Sequence, residues 1–231
     1  IAAGPKPDCL FLDFVGGAAR WVVLYRGASA WDNLAAGTSG HFLKTQGAGA
    51  DPVWAALGGL TLLTSGTVTS AATLDIVLTS YTAYRGILVV LSEFLPATDG
   101  VRLVMRVSTD GGSNYDASAS DYHYHATVVS GAGGTAYAST ASAAATFIAL
   151  GNLMGNAADE GYDGCIWLLG QTSTALKPRV FFHGVSMDTG GSSHSEVGAG
   201  SRLTAQDTDA IRFLYTSGDI ASGKYAVYGI S

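Results

Sequence analysis

The sequence predicts an all-β protein, an antiparallel β-sandwich of jelly-roll-like type, with an N-terminal extended attachment segment ahead of it. Three observations carry that expectation. From residue 59 onward, short runs rich in Val, Ile, Leu, Thr, Tyr and Phe recur between turn residues, the mark of many short strands. Within those runs apolar side chains return every second residue, so one face of each strand is buried. No segment argues for a long helix. Runs spaced this regularly across residues 59–231 read as a two-sheet sandwich.

Taken in order, residues 1–36 form the attachment segment. They hold two apolar patches, 9–15 and 21–25, parted by Gly16, Gly17, Ala18 and Ala19. Each patch suffices for one strand but not for a core, so the segment needs a partner surface, either a neighbouring subunit or its own chain's main domain. Residues 37–58 are a glycine-rich joint. There Gly37, Gly40, Gly47 and Gly49 allow tight reversals, and Phe42, Leu43, Pro52, Val53 and Trp54 offer apolar anchors to fix them.

Residues 59–231 form the head. Strands are expected at 60–69, 72–78, 86–94, 101–108, 122–130, 146–151, 164–169, 179–187, 193–197, 210–215 and 224–230. The period is plainest where Val101, Leu103, Met105 and Val107 alternate with Arg102, Val104 and Arg106, and again in Ile211, Phe213 and Tyr215. Asp99-Gly100, Asp110-Gly111-Gly112, the group Gly131, Gly133 and Gly134, and Ser222-Gly223 are turn signals, so hairpins are expected at each. The small-residue stretch 136–145 is expected to be a flexible loop or the only short helix.

A chain of 231 residues suits one substantial domain with an appended segment. It is 48% hydrophobic and only 13% charged, with 31 glycines, which combines core material and turns with few solvating charges. Such a surface fits a protein largely covered by copies of itself; the other reading is a secreted β-protein with a neutral polar surface. The net charge is −6 and Lys and Arg are not clustered along the chain, so nucleic acid is not an expected partner. Apolar runs such as 86–95 are too short to span a bilayer and are interrupted by Ser92 and Glu93. Residues 1–7 do not read as a signal peptide. Cys9 and Cys165 have no metal-ligand spacing, and a buried free thiol is the expected state of Cys165 rather than a disulfide framework.

Gly37, Thr38, Gly40, His41, Leu43, Thr45, Gly47, Gly49, Ala50, Pro52 and Trp54 together resemble the joint of tail-fibre and other virion appendage proteins of tailed bacteriophages. His41 stands where Gln is common and Asp51 where a neutral residue is common. Residues 96–116 resemble, more loosely, the distal domain that follows this joint. The resemblance implies a structural virion protein, a head-fibre, tail-fibre, spike or capsid-decoration subunit on the particle surface that mediates host attachment. It also implies contact with other virion proteins through residues 1–36. Together with the composition it points to a homotrimer working by multivalent contact, with a host-surface glycan as a candidate partner. The competing expectation is a secreted carbohydrate-binding module or a polysaccharide depolymerase.

Candidate sites are few. Asp110, Asn114, Asp116 and Asp121 gather hard oxygen ligands suited to a cation, although Asx side chains in loops also cap turns. His123 and His125 project from the same face of one strand, with Tyr122 and Tyr124 on the other. In a trimer with that strand near the threefold axis they would complete an octahedral metal site, as in some phage fibres that resemble this chain; otherwise they are polar surface. Tyr115, Tyr122, Tyr124, Tyr137 and Tyr162 suit stacking on sugars or protein contact, and equally the wet edge of a core. No catalytic residue is assigned and no cofactor is expected. Glu93, Glu160 and Glu196 are the only glutamates, and Asp159, Glu160 and Asp163 read as a solvated acidic loop. The string Gly184-Val185-Ser186-Met187-Asp188 lacks the final glycine of a nucleophile elbow.

Overall fold

The structure of the protein is a computed structural model that describes residues 22–56, 58–131 and 137–231, without the side chains of Tyr137 and Ala138. The patch at 9–15 with Cys9, and Gly133 and Gly134 of one expected turn, lie outside the described residues. The chain divides into two units, Ile1–Gly58 and Gly59–Ser231. The attachment segment and the joint, separate in the sequence reading, therefore fall in one unit.

The first unit holds two antiparallel hairpins, β1 (Val23–Arg26) with β2 (Trp31–Leu34), and β3 (Phe42–Lys44) with β4 (Val53–Ala55). The second hairpin is the joint. Gly47 and Gly49 reverse the chain in the left-handed region, at φ of 92° and 97°, where a side chain would be strained. Trp54 lies over Gly37, where a Cβ would come within 2.5 Å of the ring, and its Nε1 donates to the Ala35 carbonyl at 2.6 Å. Trp54, Pro52 and Val53 are half-buried, as anchors should be. Phe42 and Leu43 are not, being 40% and 47% exposed.

The second unit comprises β5 (Leu60–Ala71), β6 (Leu74–Val77), β7 (Gly86–Pro96), β8 (Val101–Ser108), β9 (Tyr122–Ser130), β10 (Tyr137–Ala145), β11 (Ile148–Met154), β12 (Gly161–Leu169), β13 (Arg179–Met187), β14 (Ser193–Arg202), β15 (Ala210–Tyr215) and β16 (Ile220–Ile230). It is an antiparallel β-sandwich. An eight-stranded sheet in the order β10-β9-β14-β13-β12-β7-β16-β5 packs on a four-stranded sheet, β11-β8-β15-β6. Ile87, Leu91, Ile166 and Phe182 from the large sheet meet Leu103, Met105, Ile148 and Phe213 from the small one in a single core. The alternation seen in the sequence is what points these side chains inward.

Four local expectations need correction. Asp99-Gly100 and Asp110-Gly111-Gly112 do not close hairpins: β7 and β9 belong to the large sheet and β8 to the small one, so each turn carries the chain across the sandwich. Gly100 and Gly111 supply the positive φ that a reversal needs, but a reversal does not fix which sheet the next strand joins. Ser222-Gly223 lies inside β16, where Gly223 faces the ring of Phe94 and the register shifts. Residues 137–145, expected as a loop or helix, form the edge strand β10, whose small residues pair with β9 along nearly its whole length. Backbone pairing to a formed neighbour outweighs weak strand propensity there.

Candidate functional site

Alternation in the large sheet leaves an outer face. On β13, Arg179, Phe181, His183 and Val185 are exposed while Val180, Phe182, Gly184 and Ser186 are buried. The cross-strand register lines these residues up in rows. His123 on β9 is opposite Ser201 on β14, which is opposite Arg179 on β13; one row on, His125, Ala199, Phe181 and Trp167 follow one another. Directly paired residues project to the same side, so each row is one continuous strip of surface.

Two features result. The first is an aromatic and aliphatic platform: the rings of Trp167 and Phe181 stack at 5.5 Å with 5° between their planes. Phe181, Val185 and Val197 are 43%, 46% and 55% exposed. The second is a groove along β14, because Ala199 and Ser201 are short and the side chains on both flanking strands are tall. Its flanks, β9 and β13, stand two strand spacings apart, about 10 Å. The groove includes a depression of about 540 Å³ that Leu176 and Lys177 from the loop before β13 also line. That loop is tied down: the Ser201 hydroxyl donates to the Pro178 carbonyl at 2.7 Å, and Ser173 Oγ accepts the Leu176 N–H at 3.0 Å. His123, His125, Lys177 and Arg179 line the depression, and among the described residues no carboxylate does.

The residues singled out from the sequence scatter. His123 and His125 share the exposed face as expected. Among the described residues no group of three or more His, Cys, Asp or Glu side chains is placed to hold a metal ion. Asp110 caps its own turn: its carboxylate accepts Asn114 N–H at 2.9 Å, Asn114 Nδ2 at 2.7 Å and the Ser108 hydroxyl at 2.7 Å. Those bonds, the Asn114 backbone first, hold its pKa down to about 2. Asp116 is taken up by an ion pair with Arg202, and Asp121 accepts the Ser118 N–H.

The tyrosines also separate. Tyr122 and Tyr162 are wholly buried and cannot stack on a ligand, which corrects their place in the binding set. Tyr122 Oη accepts from Val107 N–H at 2.9 Å and donates to the Asp116 carbonyl at 3.1 Å, while burial pushes both phenols well above the usual range. Tyr115 lies 3.9 Å under the Arg212 guanidinium, and Tyr124 stacks on Phe147 at 6.3 Å. The side chain of Tyr137 lies outside the described residues.

The acids have local work. Glu160 accepts Ala157 N–H at 2.6 Å, and Asp163 accepts Glu93 N–H at 2.9 Å, which holds Glu93 at a φ of 54° in the β7 bulge. Glu196 is buried on the inner face, accepting Asn152 N–H at 2.7 Å and the Ser186 hydroxyl at 2.8 Å. Cys165 is a free, half-buried thiol, more exposed than expected.

Sequence reasoning missed Trp167, Phe181, Lys177 and Arg179. A signal for the aromatic pair was present: Val180, Phe181 and Phe182 make β13 apolar on both faces, which a strand with one solvated face avoids. Nothing in the sequence signalled that Arg179 joins His123, because they meet only through β14. No protein-family model, curated protein or solved structure matches the chain.

Proposed function

We propose that the chain is a structural subunit of a tailed-bacteriophage virion, a fibre, spike or decoration protein on the particle surface, that works as a homotrimer and holds the host surface by contact. The observation that carries this reading is the outer face of the large sheet, with its stacked Trp167 and Phe181 beside an open groove. Aromatic rings held rigidly by a sheet offer apolar faces to a sugar or a protein at small entropic cost. Weak contacts of that kind gain strength when three copies engage together. Residues 1–36 dock the subunit on other virion proteins, and the joint at 37–58 connects them to the head.

We also read the head as a jelly roll with two inserted hairpins. Setting aside β9-β10 and β13-β14, the sheets run β5-β16-β7-β12 and β6-β15-β8-β11. That order supports an architecture common to viral capsid and lectin domains. It raises the prior for a binding role without assigning one.

The purified protein is expected to scatter light as a trimer and to bind host-surface polysaccharide without releasing oligosaccharides. A monodisperse monomer overturns the assembly. Oligosaccharide release that Glu160→Gln abolishes overturns the contact mechanism in favour of a depolymerase. The same aromatic stack favours a second reading, a secreted carbohydrate-binding module, which binding by a monomer without turnover would support.

A further inference from the structure

We propose that the groove along β14 is a binding site for the acidic group of a surface saccharide, a carboxylate or a phosphate. Arg179 and Lys177 serve as its permanent cations, and His123 and His125 as cations gained on protonation. That the acid is borne by a saccharide rests on the attachment reading above; the charge argument does not. The chain carries 12 Lys and Arg against 18 Asp and Glu, so its surface as a whole repels anions. Of its other cations, Arg212 is paired with Asp75, Arg202 with Asp116 and Lys224 with Glu93. Among the described residues Lys177 and Arg179 have no carboxylate partner. They share a depression with two imidazoles that face the same way.

This arrangement redirects the histidine pair. A divalent cation bound by His123 and His125 would sit beside two fixed positive charges, whereas an anion there meets four groups able to donate to it. The flanks are spaced for a single sugar ring, with Ala199 and Ser201 as floor and Phe181 at one side for its apolar face. Arginine suits carboxylate and phosphate alike through its two parallel N–H donors.

Protonation makes the site pH-dependent. The groups facing the imidazoles are Ala141 on β10, Ala199 and Ser201 on β14, Lys177 in the loop before β13 and Arg179 at its start. The nearest acid along β9, Asp121, is engaged by the Ser118 N–H at 2.5 Å. Histidine as a residue type titrates between about pH 5 and 8, so anion binding strengthens as pH falls through that range.

The test titrates the full chain with oligomers of glucuronic acid, with neutral glucose oligomers and with inorganic phosphate, at about pH 6 and about pH 8. The glucuronate oligomer or phosphate is expected to bind and the glucose oligomer to bind far more weakly. Which anion binds better tells a sugar carboxylate from a phosphate substituent. Affinity should fall on going to the higher pH by up to about fivefold for each imidazolium lost. His123→Gln with His125→Gln should flatten that dependence and leave the high-pH affinity in place. Arg179→Gln should weaken binding about fivefold at both pH values. All three side chains are exposed, and an unchanged melting temperature verifies that each variant folds. Equal binding of the neutral oligomer, no binding of either anion, or indifference to Arg179→Gln overturns the proposal. Light scattering on the same samples separates the two readings, since a monomer that binds glucuronate costs only the trimer, and a trimer that binds neither anion costs only the groove.

Discussion

Glu196 sits where a carboxylate is costly. Its side chain is completely buried, and Gly151 opposite leaves the room it needs, since a Cβ there would overlap the carboxylate. Burial raises its pKa, and the donors Asn152 N–H and Ser186 Oγ offset that rise in part. The folded protein thus holds the Glu196 proton more tightly than the unfolded chain does. Its favourable contribution is complete below the unfolded value, about 4.3, and is lost as pH rises through the folded value. Glu196→Gln keeps an acceptor for both donors and cannot ionise, so urea midpoints of this variant should decline less across that window than those of the parent. Glu196→Ala strands the buried Ser186 hydroxyl and the half-buried Asn152 N–H and should cost about 2 kcal/mol at every pH. Glutamate in a strand is written in the sequence; which face it takes follows from the period; that a glycine across the sandwich admits it is a fact of pairing between sheets. The same holds for Tyr122 and Tyr162, whose burial depends on strands far away in the chain.

Within the strands, glycine has a second use beside turning the chain. Tyr162 lies against Gly164 and Gly184, Phe182 against Gly198, and Phe94 against Gly223. Gly184, Gly198 and Gly223 each give a large ring on a neighbouring strand room against the backbone, and Gly164 does the same for a ring of its own strand. A Cβ on Gly184 would overlap the Tyr162 ring, and Tyr162 is held by neighbours on all sides, so it cannot swing away. Gly184→Ala is therefore expected to destabilise the head by about 1–3 kcal/mol, seen as a lower melting temperature. Pairing it with Tyr162→Phe, which trims only the hydroxyl, should recover part of the loss if the overlap is the cause. The strands themselves were legible, because apolar period two survives wherever one face is buried: β8, β9, β13 and β15 have the bounds the sequence implies. The edge strand β10 was not, since Ala and Ser carry no period to read. The glycine count pointed only to turns, because a glycine facing a ring looks the same in sequence as one at a bend.

At the scale of the whole molecule the large sheet has two edges of opposite character. One is β10, built of small residues; the other is β5, where Leu60 and Leu62 are 51% and 55% exposed. An open strand edge carrying apolar side chains pairs with other chains unless something covers it, and natural proteins blunt such edges with lysine or proline. This edge has neither in Leu60–Ala71. In a chain only 13% charged, a second copy meets little electrostatic resistance there, so the edge is the place to probe the assembly. Replacing both leucines, Leu60→Lys with Leu62→Lys, puts like charges where copies would meet. The parent is expected to run as a trimer in light scattering and the double variant as a monomer, with the melting temperature of the head changed little because neither side chain is buried. Should the variant stay trimeric, the copies join elsewhere, and the exposed Trp31, Phe42 and Leu43 of the first unit become the next substitutions to make. Should it melt well below the parent while keeping its mass, the two leucines serve their own chain, and the edge has no part in the assembly.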